Sequence, residues 1–147
     1  MFGSVFEKRA VYIKQNIDYY AGKFNKMQST GVKTSWNWCA FLFTSYWLIY
    51  RKMYKEFAIV AVLEHVLIPA AASIMDIFNG LNIVVIILLG LFGNYLYMQH
   101  IDRLIDGEPI GDDEALAVYH EKNGGTTYYV WIYLGAVAVF NMISPFA

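Results

Sequence analysis

Glu64, His65 and Pro69 are the residues whose types and spacing best suit a chemical role in this chain of 147 residues. They lie within the long apolar stretch 57–78, and Glu64 is the only acid well inside such a stretch. If that stretch crosses a bilayer, a carboxyl group at this depth is costly and marks a functional candidate. Pro69 lacks the N–H that would bond to the carbonyl of His65, which leaves a polar acceptor nearby. Two interpretations stay open: a polar pocket or proton path, and a structural helix–helix hydrogen bond.

A second group of polar residues lies in the stretch 99–125, which holds seven of the twelve acids. His100, Asp102, His120 and Glu121 are of the types that bind divalent metals. Their spacing matches no metal-binding motif, so a solvated acidic loop is the simpler interpretation. The sequence therefore predicts no metal site here.

Cofactor and catalytic signatures are also missing from the sequence. Two axial histidines of a haem must lie at one depth, but the helix rise separates His65 from His100 by about 15 Å. The chain has no glycine-rich phosphate loop, no Ser-His-Asp order with a nucleophile elbow and no helical His-Glu-x-x-His. Nothing favours nucleic-acid binding. We therefore expect a protein that is not an enzyme and holds no cofactor.

The elements that must position these residues are long apolar blocks. Hydrophobic residues make up 58% of the chain and aromatic residues 18%, whereas soluble domains are about 45–50% apolar. The apolar residues are concentrated in the stretches 57–78, 81–98 and 128–147, which are long enough to be membrane-spanning helices. The sequence therefore predicts a single all-α membrane domain over residues 1–147, with three transmembrane helices.

A fourth apolar stretch, residues 36–50, is short and aromatic. As a helix it would extend about 22 Å, against roughly 30 Å of hydrocarbon. Lys and Arg flank it on both sides, and a full crossing would place one basic group outside the cell. We therefore predict a re-entrant or interfacial helix, with a tilted full span as the alternative. Its predicted interface anchors are Trp36, Trp38, Trp47, Tyr50, Arg51 and Lys52, although aromatic walls would also suit a quinone or lipid.

The remaining segments fix the expected topology. Residues 1–34 repeat apolar positions every three or four residues between basic ones, which predicts a cytoplasmic amphipathic helix. That helix would lie on an anionic membrane surface or pack on the protein's own cytoplasmic loop. Residues 99–125 form that loop and include a short helix over 113–122 capped by Asp112. The amino terminus is then cytoplasmic and the carboxyl terminus lies outside.

Small residues mark the expected helix contacts. Gly90 and Gly93 let another helix approach closely, and Asn94 can hydrogen-bond across that contact. Gly135 and its neighbours offer a similar face in the last apolar stretch. The sequence does not distinguish packing within the protein from packing against a partner.

Several sequence landmarks resemble a known family. The run from Ser35 to Phe41, Ser-Trp-Asn-Trp-Cys-Ala-Phe, and the run from Tyr50 to Tyr54, Tyr-Arg-Lys-Met-Tyr, are similar to the signature of the bacterial DUF2628 family of small inner-membrane proteins. The resemblance covers about residues 12–127. Three further landmarks carry it, which are Tyr19-Tyr20 with Lys23-Phe24, Gly93-Asn94 with Tyr97, and Gly124-Gly125-Thr126. It implies a multi-pass protein of the bacterial inner membrane and no particular chemistry. An amino-terminal zinc ribbon found in some members has no Cys pair here.

Two functional hypotheses follow. The first is an accessory or scaffolding subunit of a larger membrane complex, which binds lipid and other membrane proteins. The second is a small transporter or lipid- or quinone-binding protein built around Glu64, His65 and Pro69. An enzyme acting at the aromatic segment ranks below both, because no general base lies beside that segment in the sequence.

Overall fold

The computed structural model describes residues 2–143, apart from the side chains at 2–4, 79, 140, 141 and 143. Within these residues the protein is all-helical and contains no strand, as the sequence predicts. The end of the predicted stretch 128–147 lies outside the described residues. The helices are α1 (Phe2–Ile13), α2 (Ile17–Thr30), α3 (Trp38–Tyr50), α4 (Tyr54–Val62), α5 (Ile68–Ala72), α6 (Leu81–Asp106), α7 (Asp113–Asn123) and α8 (Tyr129–Ile143).

The amino-terminal region forms two helices, so the prediction of one amphipathic helix over 1–34 is wrong. Lys14 and Asn16 have φ angles of 52° and 60°. These left-handed conformations end α1 and turn the chain into α2. The helix α2 ends at Gly31, whose φ is 69° and whose N–H donates to the Met27 carbonyl. Such angles are uncommon for residues other than glycine, and Lys in particular rarely adopts them, which is why the periodicity alone gave no sign of the break.

The apolar faces of α1 and α2 are covered by the protein itself. Tyr12, Tyr20 and Phe24 are all buried, and the ring of Tyr20 packs 4.9 Å from that of Tyr97 in α6. Arg9 is 4% exposed, and its guanidinium forms a bidentate ion pair with Asp102. The Nε and Nη2 atoms of Arg9 donate to the two carboxylate oxygens of Asp102 at 2.8 and 2.9 Å. The structure therefore packs the amphipathic region on the carboxyl-terminal half of α6.

The aromatic stretch forms α3, which lies at the centre of the fold against α4, α6 and α8. The Asn37 side chain caps its start by accepting a hydrogen bond from the Ala40 N–H at 3.0 Å. Thr44 interrupts the helix with φ 39° and ψ −115°. A β-branched residue in this region is strained, and the surrounding contacts must hold it there. The helix is therefore two short segments joined at a kink.

The stretch 57–78 is not a single helix, which corrects the predicted regular span. It comprises most of α4, a π turn over Leu63–Leu67, α5, and part of a 3₁₀ turn over Asp76–Gly80. The Ile68 N–H donates to the carbonyl of Leu63, five residues earlier. Pro69 explains the change of register, because its ring cannot be accommodated in an uninterrupted α-helical ladder.

One helix in the described part of the chain is long and apolar enough to cross a membrane. It joins the 3₁₀ turn to α6 over Asp76–Asp106, includes an 18-residue window with a mean hydropathy of 2.0, and contains the predicted stretch 81–98. Trp38–Tyr50 and Tyr129–Val139 are apolar but shorter. The helix α7 agrees with the helix expected over 113–122, and Asp112 accepts from the Ala115 N–H at 2.9 Å.

Candidate functional site

Glu64 and His65 both lie in the π turn, and the fold brings them against α3 and α8. The Nε2 atom of His65 lies 3.2 Å from the hydroxyl of Tyr133. Glu64 is half-buried and interacts with the hydroxyl of Ser45. Pro69 follows in α5, where it sets the register of the turn rather than contributing a polar group. We call Ser45, Glu64, His65 and Tyr133 the polar cluster.

The kink in α3 places Ser45 in this cluster. Ser45 directly follows the strained Thr44, is 3% exposed, and its hydroxyl interacts with both Glu64 and Tyr133. Two departures from regular helix geometry, the kink and the π turn, therefore face each other across one polar cluster. Such departures are frequent at functional sites.

Aromatic rings from α3 and α4 pack against Tyr133 of α8. The ring of Tyr133 lies 5.2 Å from that of Tyr46 and 5.2 Å from that of Phe57. These rings exclude water from one side of the phenol, which strengthens its polar contacts. His65 itself is exposed, so the cluster opens to the outside of the protein at the imidazole.

The chemistry available to the cluster is proton exchange and hydrogen bonding. It combines one carboxyl group, one imidazole and two hydroxyls, and no Lys or Arg occurs between residues 56 and 102. The described residues include no group of three or more His, Cys, Asp or Glu side chains that could hold a metal ion. Sequence reasoning missed Ser45 and Tyr133. The adjacent polar pair Thr44-Ser45 within an apolar run was the one local sign.

A second polar network joins the start of α3 to the middle of α6. The Asn94 side chain is fully buried and accepts a hydrogen bond from the Asn37 amide at 2.8 Å. Its own amide donates to the carbonyl and hydroxyl of Ser35, at 3.2 and 3.3 Å. The backbone N–H groups of Ser35 and Asn37 also donate to carbonyls of α6. This network holds the extended segment 31–37 against α6.

Gly90 and Gly93 lie where this contact is closest. A Cβ atom on Gly93 would lie 2.7 Å from that of Ala40, and one on Gly90 would lie 3.0 Å from that of Phe41. Neither distance fits a normal carbon–carbon contact. The glycines therefore face α3 of the same chain. Gly135, by contrast, has open space around it.

The predicted anchor residues occupy different environments. Arg51 is 3% exposed, and its guanidinium lies 4.7 Å from the ring centre of Tyr20 and 5.2 Å from that of Tyr97. Trp47 is also buried, whereas Trp38 is exposed. Trp36, Tyr50 and Lys52 are intermediate. Arg51 is thus held inside the protein by aromatic rings, a favourable arrangement for a desolvated guanidinium.

The four candidate metal ligands of the acidic stretch are not gathered at one site. Asp102 pairs with Arg9, while His120 lies 3.0 Å from Glu108. Glu108 also accepts a hydrogen bond from the buried Tyr12 hydroxyl at 2.8 Å. Burial alone would raise the pKa of Glu108, but the hydrogen bonds from His120 and Tyr12 outweigh it and lower that pKa. These contacts tie α1 to α7 and serve the fold.

Comparison with known proteins gives one match. A family model described as "Protein of unknown function (DUF2628)" matches residues 8–103, which is more than half of the chain. Neither a curated protein nor a solved structure matches. The matched region includes the kink, the π turn and the network at Asn94. Tyr133 and α8 lie beyond it.

Proposed function

The chain belongs to the DUF2628 family, whose function is unknown, and we propose that it is a multi-pass membrane protein acting as an accessory or scaffolding subunit of a larger complex. Its location would be the bacterial inner membrane, with the amino terminus in the cytoplasm. Residues 57–78, 81–98 and 128–147 would cross the membrane. The stretch 36–50 would enter the hydrocarbon and return, and 99–125 would form a cytoplasmic loop.

The distribution of apolar and charged residues supports the membrane placement. Glu64 and Asp76 are the only charged residues between 57 and 101, and none follows Lys122. The same part of the chain exposes many large apolar side chains, which soluble monomers avoid. Examples from α4, α6, α8 and the 73–80 connection are Ile59, Ile74, Ile77, Ile83, Trp131 and Met142.

Positions along α6 support the re-entrant path. Tyr20 and Arg51 lie on either side of residues 36–50, and both contact Tyr97 of α6. Asn37 instead bonds to the carbonyl of Gly90, about 10 Å nearer the start of α6 by helix rise. The chain therefore moves along α6 and comes back to the same level. Such a path keeps both basic groups on one side of the membrane, in line with the positive-inside rule.

The single observation that carries the subunit role is the exposed His65. It lies on an otherwise apolar surface, with Val66 and Leu67 exposed beside it. A polar imidazole is poorly accommodated by lipid and well accommodated by a neighbouring transmembrane helix that offers a hydrogen bond. A protein partner covering this surface would satisfy His65 and bury the apolar residues around it.

Extraction in a mild detergent at native expression level tests the subunit role. We expect the tagged protein to migrate as a defined assembly larger than one chain. Val66→Trp should disrupt it, because the added bulk lies on the surface around His65. Val118→Trp is the matched control, since Val118 is equally exposed but lies on α7. A lone, monodisperse monomer from wild-type cells would contradict the proposal.

A second candidate function, a small transporter or lipid- or quinone-binding protein, is favoured by the polar cluster. The kink at Thr44 and the π turn place Ser45 against Glu64 within a proposed membrane span, where an acid is costly. A strained backbone at Thr44 close to the ionisable Glu64 suits a site that changes its protonation or its hydrogen bonds. Pro69 maintains that geometry.

Replacing Glu64 tests this second function. In vesicles that carry the protein and an internal pH dye, we expect proton-coupled flux from the wild type and none from Glu64→Gln, because the amide cannot release a proton. Asp76→Asn is the control, since it removes the other charge between residues 57 and 101. Both variants must stay in the membrane and keep their helix content. Unchanged flux in Glu64→Gln would exclude the transport role.

A further inference from the structure

A cleft lies at the junction of the charged and apolar halves of the protein. Its volume is about 510 Å³, within the range of pockets that bind small molecules. It is lined by Lys52 from the α3–α4 connection, by Tyr54 at the start of α4, by His100 from α6, by Lys122 from α7, and by Thr127 and Tyr129 at the start of α8. Four elements therefore converge on it.

The charge of the cleft favours an anion. The Lys52 ammonium donates to the carbonyls of Lys122 and Gly124, at 2.9 and 2.8 Å, and an ammonium has a third N–H to offer. Burial lowers the pKa of Lys52, and the nearby Lys14 lowers it further, so an anion bound beside it would stabilise its charged form. The Lys122 side chain is exposed at the rim. Glu121 is the one carboxylate among the lining residues.

The start of α8 adds polar groups to the same cleft. The Thr127 hydroxyl accepts from the Tyr129 N–H at 3.3 Å, and its own O–H is free to donate. The described part of α8 has 15 residues, and the first turn of a helix carries a partial positive charge. The cleft thus offers ammonium and hydroxyl donors from separate elements.

The surroundings of the cleft identify the kind of molecule that carries the anion. Tyr54, Tyr128 and Tyr129 are exposed at its edge, and Trp131 is exposed one turn further along α8. Tyr and Trp favour the headgroup level of a membrane. Beyond them the surface of α8 is apolar, which suits acyl chains. A soluble phosphate ester would leave this apolar surface unused.

We propose that the cleft binds the phosphodiester headgroup of an anionic phospholipid, with the acyl chains along α8. The phosphate lies between Lys52, Lys122 and the start of α8, and the tyrosine rings border the glycerol backbone. This site rests on the membrane placement proposed above. It adds a defined lipid ligand to that placement and is separate from the polar cluster.

Native mass spectrometry of the full chain in detergent tests the site. Equal amounts of phosphatidylglycerol and phosphatidylcholine with the same acyl chains are offered together. We expect the anionic lipid to be retained preferentially and Lys122→Gln to weaken its binding about fivefold, as loss of one lysine near the headgroup implies. The substitution keeps the Lys122 carbonyl that Lys52 contacts, so the fold should survive.

Lys55→Gln is the matched control, because Lys55 is exposed at the start of α4 and does not line the cleft. Equal retention of the two lipids, or equal losses in the two variants, would overturn the site. Glycerophosphoglycerol, the headgroup without acyl chains, is the third arm. If it binds as tightly as the lipid, the ligand is a soluble phosphate ester and the lipid assignment is wrong.

Failure of the site and failure of the membrane placement are distinguishable. Alkaline carbonate washing should leave the wild type and both variants in the membrane fraction. If the wild type is washed off, the membrane placement itself is wrong. If it stays and shows no lipid preference, only the headgroup site is overturned.

Discussion

Asn94→Leu is expected to destabilise the protein by on the order of 3 kcal/mol, since buried polar groups that lose their partners each cost about 1–3 kcal/mol. The change removes the acceptor of the Asn37 amide and the donors to Ser35. Leu has the same number of side-chain heavy atoms as Asn in the same branched arrangement, so the loss comes from hydrogen bonding more than from a cavity. Unfolding in detergent micelles, followed by loss of helical circular dichroism, measures the effect.

Gln99→Leu is the matched control for Asn94→Leu. It replaces an amide by the same side chain on the same helix, but Gln99 is exposed. We expect a change within about 0.5 kcal/mol for this surface position. Equal stability of the two variants would mean that the Asn94 network does not hold segment 31–37 against α6.

Sequence patterns predicted the features that depend on residues close together in the sequence. The all-helical class follows from long apolar blocks, and the helix over Asp113–Asn123 follows from Asp112 and the nearby acidic residues. Glu64 and His65 stand out because polar residues are conspicuous within an apolar stretch. Each of these signals is local, and each can be read without knowing where the chain turns.

The features that sequence reasoning missed depend on contacts between distant segments. Ser45 and Tyr133 meet Glu64 only because the chain kinks at Thr44, and no sequence rule places a Thr at φ 39°. The break between α1 and α2 similarly rests on left-handed angles at Lys14 and Asn16. In both places tertiary packing outweighs the backbone conformation that the local sequence prefers.

The environment of Arg51 differs from the one that its position in the sequence predicts, and the reason is physical. A basic residue at the end of an apolar stretch usually lies at the membrane surface. Here three tyrosine rings, those of Tyr20, Tyr50 and Tyr97, lie within 6 Å of the guanidinium and replace part of its hydration. Two of these rings belong to helices distant in sequence, so the cage exists only once α2 and α6 are in place.

Gly93→Ala is expected to destabilise the protein by about 1–3 kcal/mol, the usual cost of overpacking a tight core. The new methyl group would lie 2.7 Å from the Cβ of Ala40, so α3 and α6 would have to separate. Separation would also stretch the hydrogen bond from Asn37 to Asn94. The same unfolding measurement in micelles gives the size of the loss.

Two further variants separate overpacking from a general effect of replacing glycine. Gly22→Ala should be neutral or stabilising by up to about 1 kcal/mol, because Gly22 lies inside α2 with nothing within 4 Å of an added Cβ. Adding Ala40→Gly to Gly93→Ala removes the opposing methyl group and should recover part of the lost stability. In a double-mutant cycle we therefore expect a favourable coupling energy between the two sites, since they are in direct contact. Additive effects would show that the close approach of α3 to α6 at Gly93 does not limit the packing of the two helices.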